Sequence, residues 1–279
     1  MMTPSATDRP LLTDREALLR NRARAVRSGM ADFLHRFAAA ETEDRLAEIN
    51  RTFKAPAVVT GFPHLWAELM PSARIVTDDS LLDLTPDAHD LVIHALSLHW
   101  AEDPVGQIVQ SARALREDGL FLAVCFGGQT LHELRSALAQ AEAEVTGGLS
   151  PRILPMGEIR DLGGLLHRAG LALPVADQVT QRASYRDILH LARDLRAMGE
   201  GNAMTARLRH PTRREIFFRA GAIMADSFAD RDDPSRIQAS FDLVFLTGWA
   251  PSDSQQKPLR PGSASKSLAE ALNELRDRD

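Results

Sequence analysis

The chain has 279 residues, of which 44% are hydrophobic and 25% are charged, and its formal net charge is -5 at pH 7. A chain of this length and composition can bury a substantial core as one large domain, and its charge gives no general electrostatic reason to bind nucleic acid. The longest apolar run, around residues 120–126, is far too short to cross a bilayer. No apolar leader opens the sequence, and Asp14 and Glu16 interrupt its early arginines. We therefore expect a bacterial cytoplasmic protein without a transmembrane segment.

The first part of the chain, residues 1–50, is predicted to be a helical lead-in. Apolar residues recur at helical spacing from Asp14 to Ile49. Gly29 marks the expected break between two helices, because glycine is a poor residue for a helix interior.

Two β-α-β patterns follow the lead-in. In the first, a β-branched run at 57–60 ends at Gly61 and precedes a helical stretch and a second strand-like run at 73–77. In the second, an apolar strand at 90–96 precedes a helix that Asp103 caps and a strand at 120–126. Cys125, the only cysteine, lies in that last strand and is predicted to be a core residue.

The remaining pattern continues the alternation of helices and strands and then changes composition. We predict helices at 130–145, 156–169, 185–198 and 213–228, strands at 171–180 and 241–246, and a tail at 251–279 that contains one short helix at 267–275. The helices within about 184–230 are predicted to be an insertion in a domain that covers 51–250.

This alternation predicts an α/β fold, with a doubly wound, mainly parallel sheet that has helices on both faces. In such sheets the ligand lies at the carboxyl ends of the strands, near the point where the strand order reverses. The functional residues are therefore expected directly after Thr60, Thr77, Leu96 and Phe126.

Several strings resemble one known family. The string LSLHW at 96–100, which follows a buried strand, looks like the fourth strand region of class I S-adenosylmethionine-dependent methyltransferases, a Rossmann-like fold. Four longer strings resemble one subgroup: FGGQTLHELR at 126–135, LSPR at 149–152, DLGGLLHRAG at 161–170 and DLRAMGEGN at 194–202. That subgroup is the methyltransferase-like assembly factor of respiratory complex I, which is similar more distantly to the malonyl-carrier-protein methyltransferase of biotin synthesis. The resemblance covers about residues 14–275.

The resemblance implies S-adenosylmethionine as cofactor and a protein as partner, most simply a complex I subunit, since the mitochondrial relatives hydroxylate an arginine of such a subunit. It also implies two sets of site residues. The cofactor-binding candidates are Gly61, Asp78, Asp79, Leu98, His99 and Trp100. The substrate-binding candidates are Gly127, Gly128, Glu133, Arg135 and Tyr185.

The loop after the first strand departs from the family pattern. A glycine-rich turn lets backbone N–H groups approach the cofactor, but here Gly61 is followed by the bulky Phe62 and by Pro63, which has no N–H donor. The path from Gly61 to Asp90 is also short for two strands and their helices. We therefore predict that one β-α unit is lost, and we hypothesise that Phe62 and Trp66 fill the space of the adenosine.

The alignment of residues 73–77 leaves two alternatives for the acidic residue that binds the ribose. If this run is the second strand, Asp78 or Asp79 is the ribose-binding carboxylate. If it is the third strand, Asp79 contacts the adenine region instead. A polar turn without a binding role is the other interpretation of the pair.

The other candidates also have structural alternatives. His99 and Trp100 are either a site pair or a packed aromatic pair, and the two glycines at 127 and 128 either receive a ligand or form a simple turn. Glu133 and Arg135 point to different faces of a helix and are otherwise solvated or ion-paired residues. Tyr185, predicted to begin a helix, is either a lid residue or a packing residue.

Two functions from different classes follow. The first is an S-adenosylmethionine-using enzyme, either a methyltransferase or a protein-arginine hydroxylase, that modifies a protein during complex I assembly. The alternative is a catalytically inactive scaffold or chaperone that retains the fold. A small-molecule methyltransferase is a third interpretation. The sequence has no spacing typical of a metal site and no serine-centred nucleophile elbow, so we predict neither a metal enzyme nor a hydrolase.

Overall fold

One mixed sheet organises the part of the chain that the structure, a computed structural model, describes, residues 11–255. The predicted helix at 267–275 lies outside these residues. The strands are β1 Pro56–Thr60, β2 Arg74–Thr77, β3 His89–Ala95, β4 Leu115–Gly127, β5 Ala172–Tyr185 and β6 Ile237–Trp249. The helices are α1 Arg15–Ser28, α2 Phe33–Glu48, α3 Pro63–Leu69, α4 Pro104–Ala114, α5 His132–Thr146, α6 Ile159–Arg168, α7 Ile188–Ala197 and α8 Arg214–Ser227.

The strand order is β2-β1-β3-β4-β6-β5. The first four of these strands run parallel to one another, and β6 runs antiparallel to both of its neighbours. The order reverses between β1 and β3, where β2 lies on one side and β4 on the other. The predicted doubly wound, mainly parallel α/β fold is therefore confirmed.

The position of β2 bears on the two alignments of residues 73–77. β2 is hydrogen-bonded in parallel to β1, in register from Ala57 with Arg74 to Thr60 with Thr77. In a doubly wound sheet this place next to the first strand belongs to the second strand. Within residues 11–255 no strand pairs with the outer edge of β2. The geometry thus favours the second-strand alignment and agrees with the predicted loss of one β-α unit at this edge.

Alternate residues of the central strands face two different core clusters. In β3, Ile93 packs with residues of α2, α5 and α8, while Val92 packs on the opposite face with Ile108 of α4 and Leu166 of α6. Because both faces of these strands are covered by helices, their sequences are continuous apolar runs. Cys125 is 1% exposed and belongs to the second cluster, as predicted.

The lead-in helices lie where the sequence pattern places them. Asp14 caps α1, accepting a hydrogen bond from the backbone N–H of Ala17 at 3.0 Å, and Gly29 ends the helix with a φ of 86°. Leu34 of α2 belongs to the same core cluster as Ile93.

None of the helices within residues 11–255 has the length and apolar character that a membrane span requires.

The boundary at Tyr185 was predicted wrongly. Tyr185 does not begin a helix but ends β5, which pairs with β6 from Ala172 opposite Trp249 to Tyr185 opposite Ile237. The polar residues of β5 alternate toward solvent, so a hydrophobicity pattern marks only its first half as a strand. The helix that follows, α7, begins at Ile188.

Replacing Ile93 by alanine should lower the free energy of unfolding by about 2–5 kcal/mol, because the residue is fully buried at the centre of the sheet. Leu81→Ala is the matched control, since Leu81 is 80% exposed and should lose less than about 0.5 kcal/mol. Urea unfolding of both variants measures the difference. Equal losses would contradict the core assignment.

Candidate functional site

The loops after β1, β2 and β3 meet at one end of the sheet, and α1 lies across them. Gly61 directly follows β1, and a Cβ atom added there would overlap the guanidinium of Arg22 from α1. Glycine at this position therefore permits a close approach, as a nucleotide-binding fold requires, but the group that approaches is a side chain of the protein itself.

Asp78, directly after β2, binds two arginines of α1. Its carboxylate oxygens accept hydrogen bonds from Nη1 of Arg22 at 2.9 and 2.8 Å, and Oδ1 also accepts one from Nη2 of Arg15 at 2.9 Å. The side chains of Asp78 and Arg22 are 6% and 4% exposed. Burial alone would raise the pKa of Asp78, but the charges of Arg22 and Arg15 hold it below its ordinary value.

Asp79 is placed differently from Asp78. Its side chain is 58% exposed and accepts hydrogen bonds from Thr77 Oγ1 at 2.6 Å and from Arg15 at 3.1 Å. Its backbone carbonyl accepts a hydrogen bond from Gln107 of α4 at 2.7 Å. Of the two acids, Asp78 is therefore the one that faces the cleft.

The aromatic rings of Phe62 and Trp66, which stand where the family pattern has small residues, point to different places. Phe62 lies in the cleft, with its ring 4.9 Å from that of His35, next to Gly199 and with the Arg22 guanidinium 5.7 Å from its centre. Trp66 is fully buried against α2, where its Nε1 donates a hydrogen bond to His35 Nδ1 at 3.1 Å. Phe62 alone of the pair contacts the groups around Gly61.

The cofactor-binding candidates at 98–100 form a short 3-10 helix, Leu98–Trp100, directly after β3. Leu98 is buried in the core on the α4 and α6 side of the sheet. His99 and Trp100 instead turn toward Glu200: Trp100 Nε1 donates a hydrogen bond to Glu200 Oε2 at 2.7 Å, and His99 Nε2 lies 3.4 Å from the same oxygen. The aromatic pair is therefore packed and also holds a carboxylate.

Glu200, after the end of α7, is a site residue that the sequence reasoning missed. Burial alone would raise its pKa, but the contacts with His99 and Trp100 and the charge of Arg22 hold that pKa below the ordinary value. The carboxylate is thus ionised at neutral pH. Its signal in the sequence is the string DLRAMGEGN at 194–202, which contains this glutamate and resembles the family.

Three buried nitrogen atoms around this cleft have no hydrogen-bond partner among the described residues: Nε and Nη2 of Arg22, and Nδ1 of His99. Buried polar atoms without partners are uncommon in folded proteins, so each of them calls for an explanation. They lie on residues that neighbour Asp78 and Glu200.

The two glycines after β4 form a turn. Gly128 has a φ of 52° and would bring a Cβ atom to 2.6 Å from an oxygen of Asp242, so a larger residue would strain the turn. The backbone N–H of Gly128 donates to Gly157, and that of Gln129 donates to Asp242 at 2.7 Å. A Cβ at Gly127 would meet Val244 at 2.6 Å. Both glycines are accounted for by packing.

The remaining substrate candidates are also engaged in the fold. Glu133 is 1% exposed and binds Ser240 of β6, whose hydroxyl donates at 2.6 Å. Arg135 is half-buried and reaches Gln129 at 3.5 Å. Tyr185 donates its hydroxyl proton to Asp194 at 3.0 Å, and burial raises its pKa. These three side chains do not come together in one pocket.

A cavity of about 190 Å³ lies between the end of β4, α7 and the segment around residue 154. Its apolar wall includes three aromatic rings, those of Trp100, Phe126 and Phe241. Its polar residues are Thr130, Glu200, Asn202, Arg196 and Arg152, the last of which is paired with Glu142 at 2.7 Å. The cavity therefore combines aromatic faces with an ionised carboxylate.

S-adenosylmethionine does not fit the cleft in this arrangement. The surface of Gly61 is covered by the Arg22 guanidinium, and both carboxylate oxygens of Asp78 are bound by arginine. The space beside Asp78, bordered by Arg15 and Gln107, is about 140 Å³, whereas pockets for ligands of this size are about 300–1,000 Å³. The residues around Gly61 and Asp78 therefore do not form the usual nucleoside site.

Comparison with known proteins identifies relatives. No family model matches the chain. The chain is 40% identical to a protein named arginine-hydroxylase NDUFAF5, mitochondrial, from Dictyostelium discoideum, over 69% of this chain and 44% of the relative. It is 33% identical to the Homo sapiens protein of that name, over 80% and 64% of the two chains. It is 32% identical to a malonyl-[acyl-carrier protein] O-methyltransferase from Xylella fastidiosa, over 67% and 60%.

The chain thus spans about half to two thirds of the length of these relatives. The predicted bacterial cytoplasmic location is wrong, because the NDUFAF5 relatives, at 33–40% identity, are mitochondrial proteins of eukaryotes. Sequence composition and charge carry no information that separates these compartments.

Two buried histidines at the site should make stability depend on pH. Burial lowers the pKa of His35 and of His94 from 6.5 to about 4. Between these values the unfolded chain binds more protons, so the free energy of unfolding should fall as the pH drops from 6.5 to 4, by up to about 1.4 kcal/mol per pH unit for each histidine. Urea unfolding across this range measures the slope.

His94→Gln supplies the comparison for this slope, since His94 makes a hydrogen bond to Gln107 that an amide can also make. Between pH 6.5 and about 5.5, where carboxylates bind few protons in either state, the variant should lose about half of the pH dependence. A free energy of unfolding that is constant from pH 6.5 to 4 in the unsubstituted protein would rule out the burial of neutral histidines.

Proposed function

The chain belongs to the methyltransferase-like family of complex I assembly factors, and from this membership we propose that it binds a protein partner during the assembly of complex I. In this proposal the partner presents an arginine side chain to the cavity beside Glu200. The observation that carries the proposal is the carboxylate of Glu200, which is only 12% exposed and lines a cavity that also has three aromatic rings.

An arginine side chain matches the chemistry of this cavity. Both hydrogen-bonding contacts of the Glu200 side chain within the described residues end on Oε2, which leaves Oε1 available to a ligand. A guanidinium forms strong hydrogen bonds with a carboxylate, and its flat face stacks on aromatic rings. Of the two arginines on the wall, Arg152 is balanced by Glu142, whereas Arg196 has no ion-pair partner among the described residues and opposes a cationic ligand.

Hydroxylation of the bound arginine is the second candidate function, because relatives at 33–40% identity are named arginine-hydroxylases. The relatives do not favour the catalytically inactive scaffold, since they are named for enzymatic activities. Methylation of a small molecule has less support, because the geometry around Gly61 and Asp78 does not accept the methyl donor in its usual place.

Isothermal titration with N-acetyl-L-arginine amide tests the cavity directly. The protein should bind this probe and discriminate against the neutral citrulline analogue, which cannot form a charge-assisted pair. Glu200→Gln should weaken binding about 10- to 100-fold, because a hydrogen bond to a charged group contributes about 1.5–3 kcal/mol.

Glu215→Gln is the control for this substitution, since Glu215 is exposed on α8 and the change removes the same charge. It should leave probe binding unchanged. Equal binding of the arginine and citrulline probes, or equal affinities of the two variants, would show that the cavity does not recognise a guanidinium through Glu200.

Deletion of the gene should lower the amount of assembled complex I in the source organism, measured by native gel electrophoresis and NADH oxidation. Mass spectrometry of the complex I subunits then separates the two candidate functions. An arginine that carries one oxygen atom more in the parent strain than in the deletion strain supports hydroxylation. Unchanged complex I levels with unchanged subunit masses would refute both.

A further inference from the structure

The place where a doubly wound fold usually holds the sugar of its nucleotide is defined by two features. They are the glycine after the first strand, which lets the ligand approach the backbone, and an acidic residue after the second strand, which binds the ribose hydroxyls. In this chain those positions are Gly61 and Asp78, and the same guanidinium, that of Arg22, contacts both.

The guanidinium supplies the contacts that a ribose would make. Two ribose hydroxyls give a carboxylate two donated hydrogen bonds, and Arg22 Nη1 lies 2.9 and 2.8 Å from the two oxygens of Asp78. The planar group also lies closer to the Gly61 backbone than any side chain at position 61 would permit. Its positive charge, which a ribose lacks, offsets the cost of burying the carboxylate.

The helix that carries Arg22 is held to the loops of the cleft at several points. Thr13, just before α1, donates a hydrogen bond to the carbonyl of Trp100 at 3.0 Å, and Asn21 of α1 donates to that of Gly201 at 2.9 Å. The side chain of Arg15 joins Arg22 on Asp78. If α1 were a lid that opens for a ligand, it would make few such contacts with the loops. Its many contacts indicate that α1 is a permanent part of the fold.

We infer that Arg22 is a permanent internal replacement for the nucleoside of S-adenosylmethionine, so that Asp78 is now an ion-pair partner within the fold and no longer a cofactor ligand. This inference concerns the nucleoside half of the cleft and does not rest on arginine binding in the cavity beside Glu200.

Thermal unfolding of the unsubstituted protein with S-adenosylmethionine and with S-adenosylhomocysteine is the first test. A nucleoside present about 100-fold above its Kd would raise the Tm by about 5–10 °C. We expect no change of Tm at millimolar concentrations of either compound. A clear rise would overturn the inference, because Arg22 would then have to leave the site.

Chemical rescue of the Arg22→Ala variant is the second test. The variant leaves Asp78 with Arg15 alone, so its Tm should fall by about 5 °C or more. Millimolar methylguanidinium should restore part of this loss in R22A, but not in the Arg22→Ala/Asp78→Asn double variant. Failure to rescue a folded R22A protein would show that the guanidinium is not what the site requires.

Arg20→Ala is the matched control, because Arg20 lies on the same helix and its side chain is 62% exposed. Its Tm should change by no more than about 2 °C and should not respond to methylguanidinium. If R22A does not fold, the nucleoside titration of the unsubstituted protein still decides the question.

Discussion

The buried ion pair between Arg22 and Asp78 is the interaction on which this end of the molecule depends. Two charges withdrawn from water are stable only when each offsets the other's loss of hydration, so neither residue can be removed alone without a large cost. The pair therefore sets three requirements on the surrounding structure. Helix α1 must lie across the sheet, β2 must end beside β1, and position 61 must lack a side chain.

The loss of one β-α unit explains why an arginine from the N-terminal helix can reach this place. The chain between β1 and β3 holds one short helix and one short strand, and the loop after β1 carries a ring at Phe62 instead of a second glycine. The cleft is consequently divided. Its nucleoside half is filled by side chains of the protein, whereas its other half keeps a cavity beside Glu200.

The sequence predicted the sheet, its parallel character and the position of Asp78 directly after a strand, because these follow from local patterns: apolar runs, glycine and proline breaks, and acids directly after strands. It could not predict that Arg22 binds Asp78, which lies 56 residues further along the chain, or that Trp100 binds Glu200, which is 100 residues away. Such pairs depend on how helices outside the sheet pack. The same limit applies to Glu133, a substrate-binding candidate, because the sequence does not reveal its hydrogen bond with Ser240, which is 107 residues away.

The two halves of the cleft remain coupled through charge. The contact with His99, the positive charge of Arg22 and the contact with Trp100 lower the pKa of Glu200 despite its burial, and the same arginine binds Asp78. A neutral ribose in place of the guanidinium would satisfy Asp78 but would contribute nothing to Glu200. Replacing the nucleoside by an arginine therefore does more than close one half of the cleft, because it also helps to keep a negative charge in the cavity that remains.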